Sequence, residues 1–304
     1  MDIHSGLAGK AVPSDEDSPQ KIAPGEPDYW AVVQSVADLL TRFALPIYAE
    51  DDSGVPEQVG TGFLLHVQGR HFLVSAAHVL ERHRSHPLFY YLSAKVIRTL
   101  DGHMLMDSAK DVGVVALSKQ NCVPHPSTEK VAVRLDHLGP NLRPRADYSY
   151  AVTGFPSSRN PTRRSKLEIH ASAYAWIGEG QPNEGHARPE AADEDMLFIK
   201  FDRKKAFRDE DTRITFPMPN GMSGGPMWAL FENVDSNPLD RLRLAAVATT
   251  HLNPEKQMMG TDIAVPLRMI GGFLANVRAD RNRLRRVPRA PFGLNYVLQT
   301  LAQS

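Results

Sequence analysis

The chain has 304 residues, with 35 Lys and Arg against 35 Asp and Glu, and 42% of it is hydrophobic. That length fits one large or two small domains, and a formal net charge of zero argues against binding nucleic acid or an anionic membrane by bulk charge. One cysteine, Cys122, permits no intrachain disulfide and predicts a reducing compartment, most simply the cytoplasm.

Residues 1–27 are rich in Pro, Gly, Ser and acids and predict a flexible N-terminal tail without the apolar core of a secretory signal. No run is long and apolar enough to span a bilayer, so no membrane partner is expected. Asp28 can cap a helix on which Trp30, Val33, Val36, Leu39, Leu40 and Phe43 share one stripe, and Pro46 is read as its end. Strands begin near Gln58. Gly62–Val67 and His71–Ser75 flank Gln68-Gly69-Arg70, a short hairpin turn. Ala94–Thr99 and His103–Met106 flank Leu100-Asp101-Gly102, whose Asp-Gly predicts another hairpin. Val112–Leu117 is a buried strand. His83 and His86 lie in a charged loop with no matching Cys or acid pair, so a solvated loop is expected there, and no metal. Residues 118–147 connect to a second strand group that opens at Tyr148–Pro156. Residues 178–194 read as a long exposed loop, and Met196–Phe201, Met227–Leu230 and Leu244–Thr250 as strands. Beyond Pro266 an apolar stripe predicts a helix. It runs into Arg278, Arg281, Arg283, Arg285, Arg286 and Arg289, read as a solvated basic run because the aromatic interleaving of a nucleic-acid binder is missing.

Three stretches carry chemistry. Gly221-Met222-Ser223-Gly224-Gly225-Pro226 offers a nucleophile, Ser75-Ala76-Ala77-His78 a base, and Asp111, at the head of its apolar strand, a carboxylate. A serine hydroxyl must lose its proton as it attacks, and a histidine titrating near neutrality can take it. The aspartate fixes the histidine's tautomer and stabilises the imidazolium. The N–H groups of Gly221 and Ser223 would form the oxyanion hole that meets the developing charge, glycine allowing the turn this requires. Asp107 is a rival carboxylate, but Ser108, Ala109 and Lys110 separate it from the strand. Each piece alone has a bland reading: a turn, a core histidine, a strand start. Their conjunction in the order His, Asp, Ser is the signal, and that order is wrong for an α/β-hydrolase esterase.

These residues, with Gly60-Thr61-Gly62-Phe63-Leu64, Gly154-Phe155-Pro156 and Gly260-Thr261-Asp262-Ile263-Ala264-Val265-Pro266, resemble the chymotrypsin/trypsin-like serine peptidases, most of all the disulfide-free bacterial branch that includes HtrA-type proteases. The match runs from about residue 56 to 270. It implies an all-β fold of two packed antiparallel six-stranded β-barrels with flanking N- and C-terminal helices. The domain boundaries then fall at 1–27 for the tail and 28–270 for the peptidase domain, with barrels at about 56–140 and 148–266. The C-terminal helix and basic tail occupy 267–304. The resemblance also implies a serine endopeptidase working through His78, Asp111 and Ser223 on a protein or peptide substrate, without a cofactor. A peptidase loose in the cytoplasm calls for a closed resting cleft or an activating protein partner. Met222 stands where animal-type members carry an Asp that pairs with a newly cut N-terminus, so activation by that route is not expected.

Substrate contacts are read from the same resemblance. Thr249 and Thr250 lie on the strand that would pair with substrate, and Thr249 is a candidate to hold Asp111. His251 falls late for a specificity role and is read as a rim residue. Two readings of the pocket compete: Pro217, six residues before Ser223, favours small or apolar side chains, whereas Asp262 on the pocket wall would select Lys or Arg. The rival to catalysis is a silent peptidase-fold module that binds extended segments.

Overall fold

The computed structural model describes residues 29–50, 54–93, 96–118, 130–140, 142, 149–160, 171–181, 194–207, 212–230 and 242–286. The tail before Tyr29, Cys122, residues 182–193 and the chain after Arg286 lie outside these. The chain divides into two units, Met1–Pro266 and Leu267–Ser304. Helix α1 (Tyr29–Thr41) precedes sixteen described strands, β1 to β16 in chain order, and helix α3 (Ala264–Arg286) runs from the end of the first unit into the second.

The first sheet contains β1 (Ala44–Glu50), β2 (Pro56–Val67), β3 (Arg70–Ser75), β4 (Leu88–Ser93), β5 (Val96–Thr99), β6 (Gly102–Asp107), β7 (Val112–Leu117) and β8 (Val133–Arg134). Its order is β5-β4-β1-β2-β3-β7-β6, with β8 parallel to β2. The β2–β3 hairpin turns through Gln68 and Gly69, both at positive φ (50° and 73°), the two-residue turn whose twist suits flanking strands.

Two expectations fail in this sheet. Pro46 does not simply end the helix: it lies inside β1, opposite Thr61. A proline fits because pairing of β1 with β4 begins only at Ile47, so no ladder bond needs its missing N–H. Leu100-Asp101-Gly102 is not a hairpin either. β5 pairs with β4 and β6 with β7, at opposite edges of the sheet. Gly102 (φ 151°) instead permits close approach, since a Cβ there would lie 2.1 Å from the Ala116 carbonyl oxygen. Because only Leu100 and Asp101 separate β5 from β6, the two edges must meet at that end. The sheet is therefore curled into a half-barrel, open in its hydrogen bonding. Its interior holds Leu45, Ile47, Leu73, Val79, Leu80, Tyr90 and Val115.

The second sheet closes fully as β10-β11-β16-β15-β14-β9. Its strands are β9 (Ser149–Gly154), β10 (Tyr174–Gln181), β11 (Met196–Lys200), β14 (Pro226–Leu230), β15 (Leu242–Leu252) and β16 (Gln257–Asp262), with a small β12 (Ala206–Phe207) and β13 (Arg213–Ile214) ribbon between β11 and β14. β10 corrects the reading of a loop from residue 178, because the strand continues to Gln181 against β9 and β11. Gly178 is there for closeness, not for a turn: a Cβ would lie 2.3 Å from the Lys200 carbonyl oxygen. Tyr150, Val152, Leu197, Ile199, Met222, Met227 and Ala246 fill this barrel. Helix α1 packs against β9 and β10 and buries Val36 and Leu40, and Phe43 just beyond it meets Trp228 with ring centroids 5.0 Å apart.

Candidate active site

β3 delivers His78. The strand ends at Ser75, buried Ala76 and Ala77 follow, and the short helix α2 (Ala77–Glu81) starts at once. Fixed small residues on a rigid strand leave the imidazole little freedom of position. Asp111 comes from the tight link between β6 and β7. Asp107, the rival carboxylate, has a structural task there: its Oδ1 accepts the Lys110 N–H at 3.1 Å and closes the turn. Asp111 itself takes φ 49°, a left-handed conformation that Asp tolerates better than most residues. Lys110 is anchored to the second barrel by an ion pair with Asp195 at 3.1 Å and by its carbonyl, which accepts the Thr261 hydroxyl.

The two side chains meet. His78 Nδ1 lies 2.8 Å from Asp111 Oδ2 and 3.0 Å from Oδ1, and Oδ1 also accepts the His78 backbone N–H at 3.0 Å. One carboxylate thus holds both the ring and its backbone, which assigns the Nδ1–H tautomer and leaves Nε2 as the free lone pair. The pair is open to water, with His78 at 51% side-chain exposure and Asp111 at 28%.

Ser223 lies in the loop before β14. Its hydroxyl donates to the Thr249 carbonyl at 3.0 Å, and among the described residues it makes no hydrogen bond to His78. Nearby, the Asn220 carbonyl accepts the Ser157 N–H at 2.7 Å. A trans peptide sets its C=O and N–H in opposite directions, so the Gly221 N–H points away from Ser157. Among the described residues, neither the Gly221 nor the Ser223 N–H has a hydrogen-bond partner. Gly221 takes φ 91°, and a Cβ on it would lie 2.7 Å from the Phe155 oxygen.

What holds this loop was not read from the sequence. Thr61 donates its hydroxyl to the Gly221 carbonyl (2.7 Å), accepts the Phe155 N–H on the same oxygen (3.0 Å), and gives its backbone N–H to the Ser223 carbonyl (2.8 Å). Buried Gln58 donates from Nε2 to the carbonyls of Phe155 (2.5 Å), Gly221 (3.1 Å) and Gly60 (3.2 Å). The Ser75 hydroxyl donates to the Thr61 carbonyl at 2.6 Å. The first sheet therefore clamps the serine loop of the second. Thr61 stood in a recognised Gly-Thr-Gly stretch, but nothing in one sequence says which strand residue faces the partner barrel. Met222 is fully buried in the barrel interior, so the loop is anchored by an apolar side chain at that position.

The expected substrate contacts fare differently. Thr249 does not reach Asp111: its hydroxyl donates to the Met259 carbonyl at 3.2 Å, across the bulged β15–β16 pairing. Thr250 is exposed on the same strand. Pro217 is buried, and its carbonyl accepts Arg203 Nε at 3.0 Å. Asp262 is also buried, and its Oδ1 accepts the N–H of Ala264, the first residue of α3, at 2.7 Å. A carboxylate committed to a helix start is poorly disposed to select Lys or Arg, which removes the ground for that reading. His251 sits within β15, half-buried, with its ring edge-on to Phe201 at 5.2 Å. His83 accepts the Leu88 N–H at 3.4 Å, and no cluster of three metal-ligating side chains occurs among the described residues.

A closed barrel beside a curled half-barrel, joined at a His-, Asp- and Ser-bearing cleft, is the trypsin-like double-barrel fold. Among solved structures, neuropsin, a serine protease expressed in the limbic system of mouse brain, is similar with a TM-score of 0.50 and 14% sequence identity, over 77% of this chain and 95% of that one. At that identity the likeness is one of fold. No known family profile and no curated protein matches the chain.

Proposed function

We propose that the protein is a serine endopeptidase in which Ser223 attacks the peptide carbonyl, His78 acts as base and then acid, and Asp111 orients it. The observation that carries this reading is the two-point hold of Asp111 on His78, at Nδ1 and at the backbone N–H. It presents Nε2 as acceptor, the state a general base requires. In the first step Ser223 Oγ bonds to the carbonyl carbon and its proton passes to Nε2. The oxyanion is met by the N–H groups of Gly221 and Ser223. Nε2–H then protonates the leaving amine, and water repeats the sequence on the acyl-enzyme.

At rest the Ser223 hydroxyl is engaged by Thr249, which supports a latent enzyme that substrate or a protein partner brings into line. Activation through a new N-terminus finds no acid to receive it, because Met222 occupies that position. The single cysteine supports a place in the disulfide-free branch of the family and a cytoplasmic setting. The test is incubation with a peptide mixture and mass spectrometry of the products. Cuts made by wild type and absent with Ser223→Ala support the peptidase. Retention of uncut peptides equally by both proteins would favour the second reading, a binding module, to which the turned-away hydroxyl lends its weight.

A further inference from the structure

Arg203 belongs to no motif, yet it braces the segment leading to Ser223. Its carbonyl accepts the Phe216 N–H at 2.9 Å. Its side chain turns back so that Nε donates to the carbonyls of Phe216 (2.9 Å) and Pro217 (3.0 Å), while Nη1 contacts the Met218 sulfur. Met218 is 40% exposed, so the outer end of the guanidinium lies toward solvent. On the other flank, His251 stands two residues beyond Thr249, whose carbonyl accepts the Ser223 hydroxyl. Burial, and after it the Arg203 charge, holds the pKa of its imidazole below the usual value. Behind both, Phe201, Phe216 and Trp176 pack edge-to-face and tilted, with centroids 4.8 to 5.5 Å apart, and form a stiff apolar floor.

Among the described residues no carboxylate pairs with the charge on Arg203. Its neighbour Asp202 is taken by Lys256 at 3.0 Å and by the Lys204 N–H. A guanidinium is always protonated, and two carbonyls sharing Nε leave donors in its plane suited to a carboxylate. We propose that Arg203 reads a carboxylate on the substrate residue preceding the scissile bond, so that the enzyme cleaves after Glu or Asp. This rests on the peptidase reading above. It competes with the expectation of small or apolar side chains, and Pro217 enters it through the carbonyl that positions Arg203.

The experiment uses peptides identical except for Glu, Gln, Leu or Lys before a chromogenic anilide. Active sites are counted with a fluorophosphonate probe, and calorimetry follows the binding of product peptides ending in Glu or Gln. Glu should exceed Gln in kcat/KM by about tenfold or more, the scale of one charge-assisted contact. Arg203→Gln should abolish the ratio and Arg203→Lys retain part of it. If Arg203→Gln does not fold, the wild-type ratio still decides, since a charge-based preference must shrink as salt rises from about 20 mM to about 0.5 M. Probe labelling with no preference for Glu overturns the inference and leaves the peptidase. No labelling and no cleavage even with cell extract added, with Glu-ended peptides bound more tightly than Gln-ended ones in an Arg203-dependent way, overturns the peptidase and keeps the carboxylate subsite. No labelling under those conditions and no such binding difference overturns both.

Discussion

Gly221 shows how one missing side chain prepares a site. Its φ of 91° and the Phe155 oxygen 2.7 Å from where a Cβ would lie admit glycine alone, and its N–H is left without a partner among the described residues. Gly221→Ala should lower kcat by about 10²–10³, the usual effect of losing one oxyanion donor, with a smaller change in KM. Steady-state kinetics on one peptide checks this. Two histidines make the fold sensitive to acid. His71 is held below its ordinary pKa by burial and then by His66, whose ring lies 4.9 Å away; His251 is held down by burial and then by Arg203. Each binds a proton less readily folded than unfolded. The stability they contribute is complete above the ordinary value of 6.5 and is lost as pH falls from there through the folded pKa values. Thermal midpoints should therefore drop on acidification in that window, and His71→Gln should flatten the drop.

Among elements, β2 does most to assemble the site, because it carries Gln58 and Thr61 to the serine loop. Thr61→Val removes a hydroxyl that serves Gly221 and Phe155, leaving the buried Phe155 N–H unpaired. It should cost about 1–3 kcal/mol by denaturant titration and reduce kcat more than it changes KM. The elements that sequence exposed best were those with a strong local signature: the Gln68-Gly69 turn, the apolar run after Asp111, and the His- and Ser-bearing stretches. It misled where one residue type has two uses. Gly102 and Gly178 look like turn residues but serve close backbone approach within sheets, and Pro46 looks like a helix stop but occupies a ladder position that needs no donor. Arg203 and Gln58 were invisible because their partners are carbonyls distant in sequence, and Asp262 was misread because a buried cap and a pocket acid look alike in one dimension.

At the scale of the whole molecule, two sheets each supply part of the candidate site. His78 and Asp111 come from the half-barrel and Ser223 from the closed barrel. Thr61, Gln58 and Lys110 cross between the two. Met222 secures the loop from within the second barrel. In the proposed mechanism the Ser223 hydroxyl must leave the Thr249 carbonyl for His78. The most direct measurement is reaction of the full chain with a fluorophosphonate probe, with the adduct located by mass spectrometry. The account predicts an adduct on Ser223 in wild type, in the free chain or once peptide substrate or a partner from cell extract is added. Labelling should fall by about 10³-fold or more in His78→Ala. Labelling at another serine, or labelling of Ser223 undiminished in His78→Ala, would contradict it.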